Sequence, residues 1–341
     1  MLKTIRAKYK YYIFDSVDKV NLKKCPAMKY IVLTLYILFI VCVSSLSKSI
    51  NIPKDFKDIQ EAIDKADLGD IIIISDGEYK KDIMINKSIE LCGSGQEKTA
   101  LMGSIVVQNA GPVIIESLTI KGDKGNNAHF GIYCSRAFLT IKNIKIFGYH
   151  HGIGSESSKL IIKDSFITEN FQVGVQVENS LTTFIEENDI NTNTGSGIRI
   201  SSSENNITIT GNIIRKNSIG IEIIGSSPRI RRNAIENNQV AIFSTQESNP
   251  DIGIDDDPGL NVFISNPVVI INMTRRLTIQ AKGNYWGDSN GPNNSAIEGK
   301  IDYIPWLKSN PLKTQSVCQY GKLSVCWGNL KGSSMSQKNS F

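Results

Sequence analysis

Only three histidines and six scattered cysteines occur in this chain of 341 residues, and no two cysteines stand in Cys-x-x-Cys spacing. Structural zinc draws on closely spaced thiolates and imidazoles, so no such site is expected. His129, His150 and His151 have no methionine cluster beside them, which leaves no copper-binding set either. Strong positive charge is missing from the body of the protein. The whole chain sums to +5, but residues 1–30 carry eight Lys/Arg against Asp15 and Asp18, which leaves residues 31–341 at −1. A near-neutral body lacks the basic footprint of a nucleic-acid binder, so no nucleic-acid partner is expected. A long apolar run is missing as well: Tyr30 to Val43 is 14 residues, where a spanning helix needs about 20.

That run is preceded by Lys29 and followed by Ser44, Ser45 and Ser47. A basic flank, a short apolar stretch and small residues make a secretory signal. Residues 28–47 are therefore read as a signal peptide or membrane anchor, with membrane contact only through residues 30–43 if it is not cleaved. Residues 1–27 are read as an upstream extension, ahead of a natural start at Met28. Cys25 and Cys42 leave with the signal, Cys92 and Cys134 read as buried thiols, and Cys318 and Cys326 are close enough in sequence to pair.

What the chain has is a period. Gly131, Gly152, Gly174, Gly197 and Gly220 recur every 21 to 23 residues, with Ala241 at the next step, and each is followed by Ile or Val. Each unit reads as a Gly step, an alternating strand, a polar turn and a second strand. Such units bury their apolar edges only by stacking on each other. Asn143, Asp164, Asn188, Asn212 and Asn233 recur before the second strand. Asn170, Asn193, Asn217 and Asn238 recur before most Gly steps. In stacked coils about 4.8 Å apart these amides would bond along the stack.

Upstream, residues 56–66 have helical spacing, with Ile59, Ala62, Ile63 and Ala66 on one face and Asp55 as N-cap. Ile71–Ile74 then reads as a strand buried on both sides. The block "DIQEAIDKADLGDIIIISDGEYKKDIMINKSIELCGSG" resembles the entry segment of secreted right-handed parallel β-helix proteins of the pectin-lyase-like superfamily. The resemblance implies an all-β, single-stranded right-handed parallel β-helix, or solenoid, with a short N-terminal capping helix. On that reading residues 48–110 hold the cap and first coils, 111–281 the coils, 282–312 a C-terminal cap and 313–341 a polar tail. Tyr285, Trp286, Tyr303 and Trp306 supply the apolar bulk of that cap, the alternative being a sugar platform.

Alternation places Ile132, Ile153, Val175, Ile198, Ile221 and Ile242 inward. Tyr133, Gly154, Gln176, Arg199, Glu222 and Phe243 then point outward, with Ser135, Glu156, Glu178, Ser201, Ile224 and Thr245 two residues further on. The strip is about 25 Å long at strand spacing. Rings at its ends and polar groups between suit a polysaccharide, with Tyr133, Gln176, Arg199, Glu222 and Phe243 as binding residues. Arg199 with Glu178 and Glu222 sketches the base and acids of a polysaccharide lyase or glycoside hydrolase. Of the polygalacturonase motifs only His151-Gly152 and Arg199-Ile200 have an echo, and the catalytic aspartates are missing. Asp255, Asp256 and Asp257 form a solvated turn or a loose Ca²⁺ site; otherwise no cofactor is expected. The expectation is an exported, secreted, periplasmic or cell-surface protein that binds polysaccharide. The alternatives are the lyase or hydrolase and a purely structural or adhesive surface protein.

Overall fold

The computed structural model describes residues 47–122, 129–203, 206–274 and 276–312. The expectations for the leader, the tail, Cys25, Cys42, Cys318 and Cys326 lie outside the described residues.

Between Ile71 and Asn272 each coil contributes one strand to each of three parallel sheets, and extra strands at the two ends bring these to 12, 10 and 9 strands. The two-strand unit read from the sequence is thus one strand short. Between Gly131 and Gly152, for instance, the chain makes strands Phe130–Ser135, Phe138–Lys142 and Lys145–Phe147. The third is only three residues long, too short to show as an alternating run of its own. The coils continue past Thr245: Asp251–Gly253 and Val262–Ile264 each take their place in a sheet. The interior is a stack of Ile, Val and Leu, almost all fully buried. Ile71–Ile74 departs from expectation, because only Ile72 and Ile74 face the core while Ile71 and Ile73 are half-exposed. A solenoid wall has one dry side, so its strands alternate although they are parallel.

The capping helix runs Ile59–Lys65 and buries Ile59, Ala62 and Ile63. Its N-cap is Asp58, whose carboxylate accepts from the Glu61 N–H at 3.0 Å, and not Asp55. Asp55 instead accepts from the Asn51 N–H in the preceding turn.

The coils bend at corners where backbone cannot pair with backbone, and side chains supply the missing acceptors. At the corner between the second and third strands, Asn188, Asn212, Asn233, Asn261 and Asn284 form a buried ladder. Each amide group donates to the next side-chain oxygen at 2.9–3.0 Å. A second ladder joins Asn170, Asn193, Asn217, Asn238 and Asn266. At the third corner, serines replace asparagines: the Ser180, Ser203 and Ser226 N–H groups donate to Ser203, Ser226 and Ser248 Oγ.

Two residues assigned from sequence to the first ladder belong to the column beside it. Asn143 and Asp164 have φ of 51° and 50°, the left-handed turn that precedes each ladder residue. The ladder positions there are Ile144 and Ser165; the Ile144 N–H donates to Ser165 Oγ and the Ser165 N–H to Asn188 Oδ1. Asparagine tolerates both the left-handed turn and the ladder, so its presence alone does not separate the two columns.

Near the C-terminal end, Trp286 is buried and stacks on Phe263 with centroids 5.1 Å apart. Tyr303 and Trp306 continue the aromatic series. Tyr285 stands apart from these rings and donates its hydroxyl to the Gly287 carbonyl.

The acidic run is held by cations. Asp257 accepts from Arg229 and from the buried Arg231, and Asp255 pairs with Lys282 at 2.8 Å. Burial pushes the Asp257 carboxyl up, but hydrogen bonds and charge from Arg231 and Arg229 outweigh it and hold the group below its ordinary value. A carboxyl depressed on folding adds stability above the unfolded value, near 3.9, and loses it as pH falls through the folded one. The thermal midpoint of Asp257→Asn should therefore be lower than that of the parent at pH 7. The gap should close as both are titrated toward pH 2; a gap independent of pH would contradict the ion-pair role.

Candidate functional site

The outward row is continuous. Tyr133, Gly154, Gln176, Arg199, Glu222 and Phe243 are paired rung to rung across the 10-stranded sheet. Val106 and Met84 extend the row at one end, and Ile271 and Glu298 at the other. Ser135, Glu156, Glu178, Ser201, Ile224 and Thr245 form a second row beside it.

Within these rows the polar groups engage each other. Arg199 Nε donates to Glu222 Oε2 at 2.7 Å, and Ser196 Oγ donates to the same oxygen. Arg199 is 33% exposed and Glu222 13%, so this cross-strand pair is partly screened and worth about 0–1 kcal/mol. Gln176 Nε2 donates to Glu178 Oε1 at 2.7 Å, and the Tyr133 hydroxyl donates to Glu156 Oε2. Burial first, then the hydrogen bond to Glu156, push the Tyr133 phenol up to about 12, so it remains a donor at neutral pH. Phe243 lies two rungs beyond Arg199, next to Glu222.

A depression of about 190 Å³ opens between Phe130, Tyr133, Gly154, Glu156, Gln176 and Glu178. Phe130 and Tyr133 form one wall, with ring centroids 5.0 Å apart. The Phe130 ring lies where a side chain on Gly154 would project, so glycine at 154 makes room for that ring. Gln176 Oε1 is buried and has no hydrogen-bond partner.

Alternation alone does not find Phe130. It precedes the Gly step, where Gly131 and Ile132 both turn inward and the two-residue period slips. The signal available was its position one residue ahead of the Gly column, shared with His151, Val173, Ser196, Ile219 and Val240.

All three histidines gather behind Phe130. His129 lies 4.8 Å from His151 and 5.7 Å from His150, and Phe130 stacks on His151 at 5.0 Å. Burial, then the neighbouring His129, Arg199 and His150, lower the His151 imidazole to about 4. It is neutral at physiological pH and backs the Phe130 ring. Among the described residues, no three His, Cys, Asp or Glu side chains are arranged to hold a metal ion.

Comparison with known proteins locates this architecture. A cell surface glycoprotein of Methanothermus fervidus is 30% identical over 140 residues, a match covering 36% of this chain and 23% of that protein. The chain thus spans less than a quarter of the length of that curated relative. The enzymatically active domain of tailspike protein 2 of bacteriophage CBA120 has a TM-score of 0.53 at 14% identity, over 75% of this chain and 52% of that one. The A-module of a mannuronan C-5 epimerase from Azotobacter vinelandii has a TM-score of 0.48 at 16% identity, over 73% and 90%. At these identities the structural likeness is one of fold. Residues 103–255 match the family described as "Right handed beta helix region", and with three parallel sheets stacked coil on coil the chain is a right-handed parallel β-helix repeat protein.

Proposed function

We propose that this protein binds polysaccharide at a cell surface, along the outward face of the 10-stranded sheet. The observation that carries the reading is the depression on that face, walled by Phe130 and Tyr133 and floored by Gln176, Glu156 and Glu178. Aromatic faces stack on the apolar faces of sugar rings, and fixed polar groups select hydroxyls. Strand register repeats the surface at about 4.8 Å, a rigid track for an extended chain.

The surface location draws on the Methanothermus relative, which is named a cell surface glycoprotein, and on the basic-apolar leader. Among the described residues no helix is long and apolar enough to cross a membrane. Binding without catalysis is the better fit to the side chains. A general base must be free to take a proton, whereas the Arg199 guanidinium is held as a donor to Glu222.

The test is affinity electrophoresis of the full chain through gels containing soluble polysaccharides. Tyr133→Ala removes one wall and should weaken retardation about tenfold, the value of one good ring contact. Arg199→Ala should matter less, since its guanidinium already has a partner. No retardation by any polysaccharide, or retardation unchanged in Tyr133→Ala, would refute the reading. New reducing or unsaturated ends in the incubated polymer would point to the lyase or hydrolase instead.

A further inference from the structure

The hydrogen-bond inventory of the depression is lopsided. Tyr133 has one hydroxyl hydrogen, and Glu156 takes it. Gln176 directs its amide nitrogen to Glu178, which leaves its Oε1 buried without a donor. Two carboxylates on adjacent rungs, Glu156 and Glu178, join Ser155 in the polar lining, and among the described residues no Lys or Arg is part of it. The nearest cation along the row, Arg199, is one rung above Gln176 and directs its Nε to Glu222. His151, behind Phe130, adds no charge at neutral pH, because its imidazole is held neutral down to about 4.

What the lining offers an occupant beside the aromatic wall is therefore chiefly the remaining lone pairs of Glu156 and Glu178, with the second amide hydrogen of Gln176 as a lesser donor. An occupant must bring donors. A sugar hydroxyl does so, and an ammonium group does so with a charge that meets the two carboxylates and the π-faces of Phe130 and Tyr133. A uronate brings a carboxylate to a place already holding two, with no cation among the described lining residues and the adjacent Arg199 turned to Glu222. Such like-charge placement is how a site rejects a ligand of otherwise suitable shape.

We propose that the depression recognises an amine-bearing sugar unit of a polysaccharide and excludes polyuronates. This rests on the polysaccharide-binding reading above and adds the class of sugar to it. Glu178 and Glu156 are the specificity-determining residues, and Phe130 and Tyr133 provide the stacking surface.

Three oligosaccharides of equal length serve as probes of the full chain in titration calorimetry: a β-1,4-glucosamine oligomer, a β-1,4-glucose oligomer and an oligogalacturonate. The expected order is glucosamine, then glucose, with the galacturonate at least a hundredfold weaker than glucosamine. Glu178→Gln should lower glucosamine affinity about tenfold while leaving glucose affinity within twofold, and added salt should weaken only the glucosamine complex. Glu186→Gln removes the same charge on the 12-stranded sheet and controls for general attraction to a cationic polymer. It should change nothing, and a loss equal to that of Glu178→Gln would overturn the assignment. Preferred binding of galacturonate, lost in Tyr133→Ala, would overturn the sugar class and leave polysaccharide binding standing. Failure of all three probes, together with failure of every polysaccharide in the gel assay, would remove both.

Discussion

Asn233→Asp should cost about 4 kcal/mol of folding stability at pH 7, although it changes one atom and creates no cavity. Asn233 lies in the middle of the buried amide ladder. Its Nδ2 donates to the carbonyls of Ile209 and Arg231 and to Asn261 Oδ1, at 2.9–3.0 Å. Its Oδ1 accepts from both the backbone and side-chain nitrogens of Asn212. Aspartate keeps the accepting side and inverts the donating one, so a carboxylate would face three oxygens at a fully buried position. Burial raises such a carboxyl above its unfolded value near 3.9. The penalty is then complete above the raised folded value, fades as pH falls from there to the unfolded one, and is gone below it. Denaturant midpoints of parent and variant should lie far apart at pH 7 and draw together toward pH 4. Equal midpoints at pH 7 would mean that the ladder adds no net stability.

Gly174→Val should be the other severe change, costing about 3 kcal/mol or more or preventing folding. A Cβ at Gly174 would stand 2.7 Å from the Gly197 carbonyl oxygen and 2.9 Å from Asn193 Nδ2. The first is backbone of the next coil and the second a rung of the other amide ladder, so neither can move alone. The same column changes along the molecule: Gly220 is level with Ala241 and Ala241 with Val269, both buried. The corner therefore widens toward the C-terminal coils, and Val269→Gly should leave a void where Gly174→Val leaves a clash. Calorimetric melting separates these outcomes: a small shift for Gly174→Val would show that the corner can relax.

The glycine column, the inward Ile and Val positions and the outward row were legible because each depends on one repeating interval. The third strand was not. Lys145–Phe147 and its equivalents from Thr119 onward are three residues long, and the turn residue ahead of most of them occupies φ near 50° without being glycine, Gly211 being the exception. The serine ladder was missed for a related reason, since a hydroxyl that accepts one backbone N–H looks in sequence like any polar turn. In the site, the row itself was readable but its internal pairing was not. Whether Tyr133 reaches Glu156 or Arg199 reaches Glu222 depends on side-chain rotamers that spacing does not specify. Phe130 was hidden by the slip in alternation at Gly131, and the gathering of His129, His150 and His151 by the coil that separates the first from the others.

The ladders also give the molecule a direction. In each, the backbone nitrogen of one coil is completed by an oxygen from the coil that follows it in the chain. A nascent chain that emerges N-terminus first carries unfilled donors at its growing tip until one further coil arrives. In a chain built from that end, each layer's donors would wait on the layer after it. A polypeptide halted after Asn233 would present a hungry edge of N–H groups to solvent, open to pairing with the next molecule it meets.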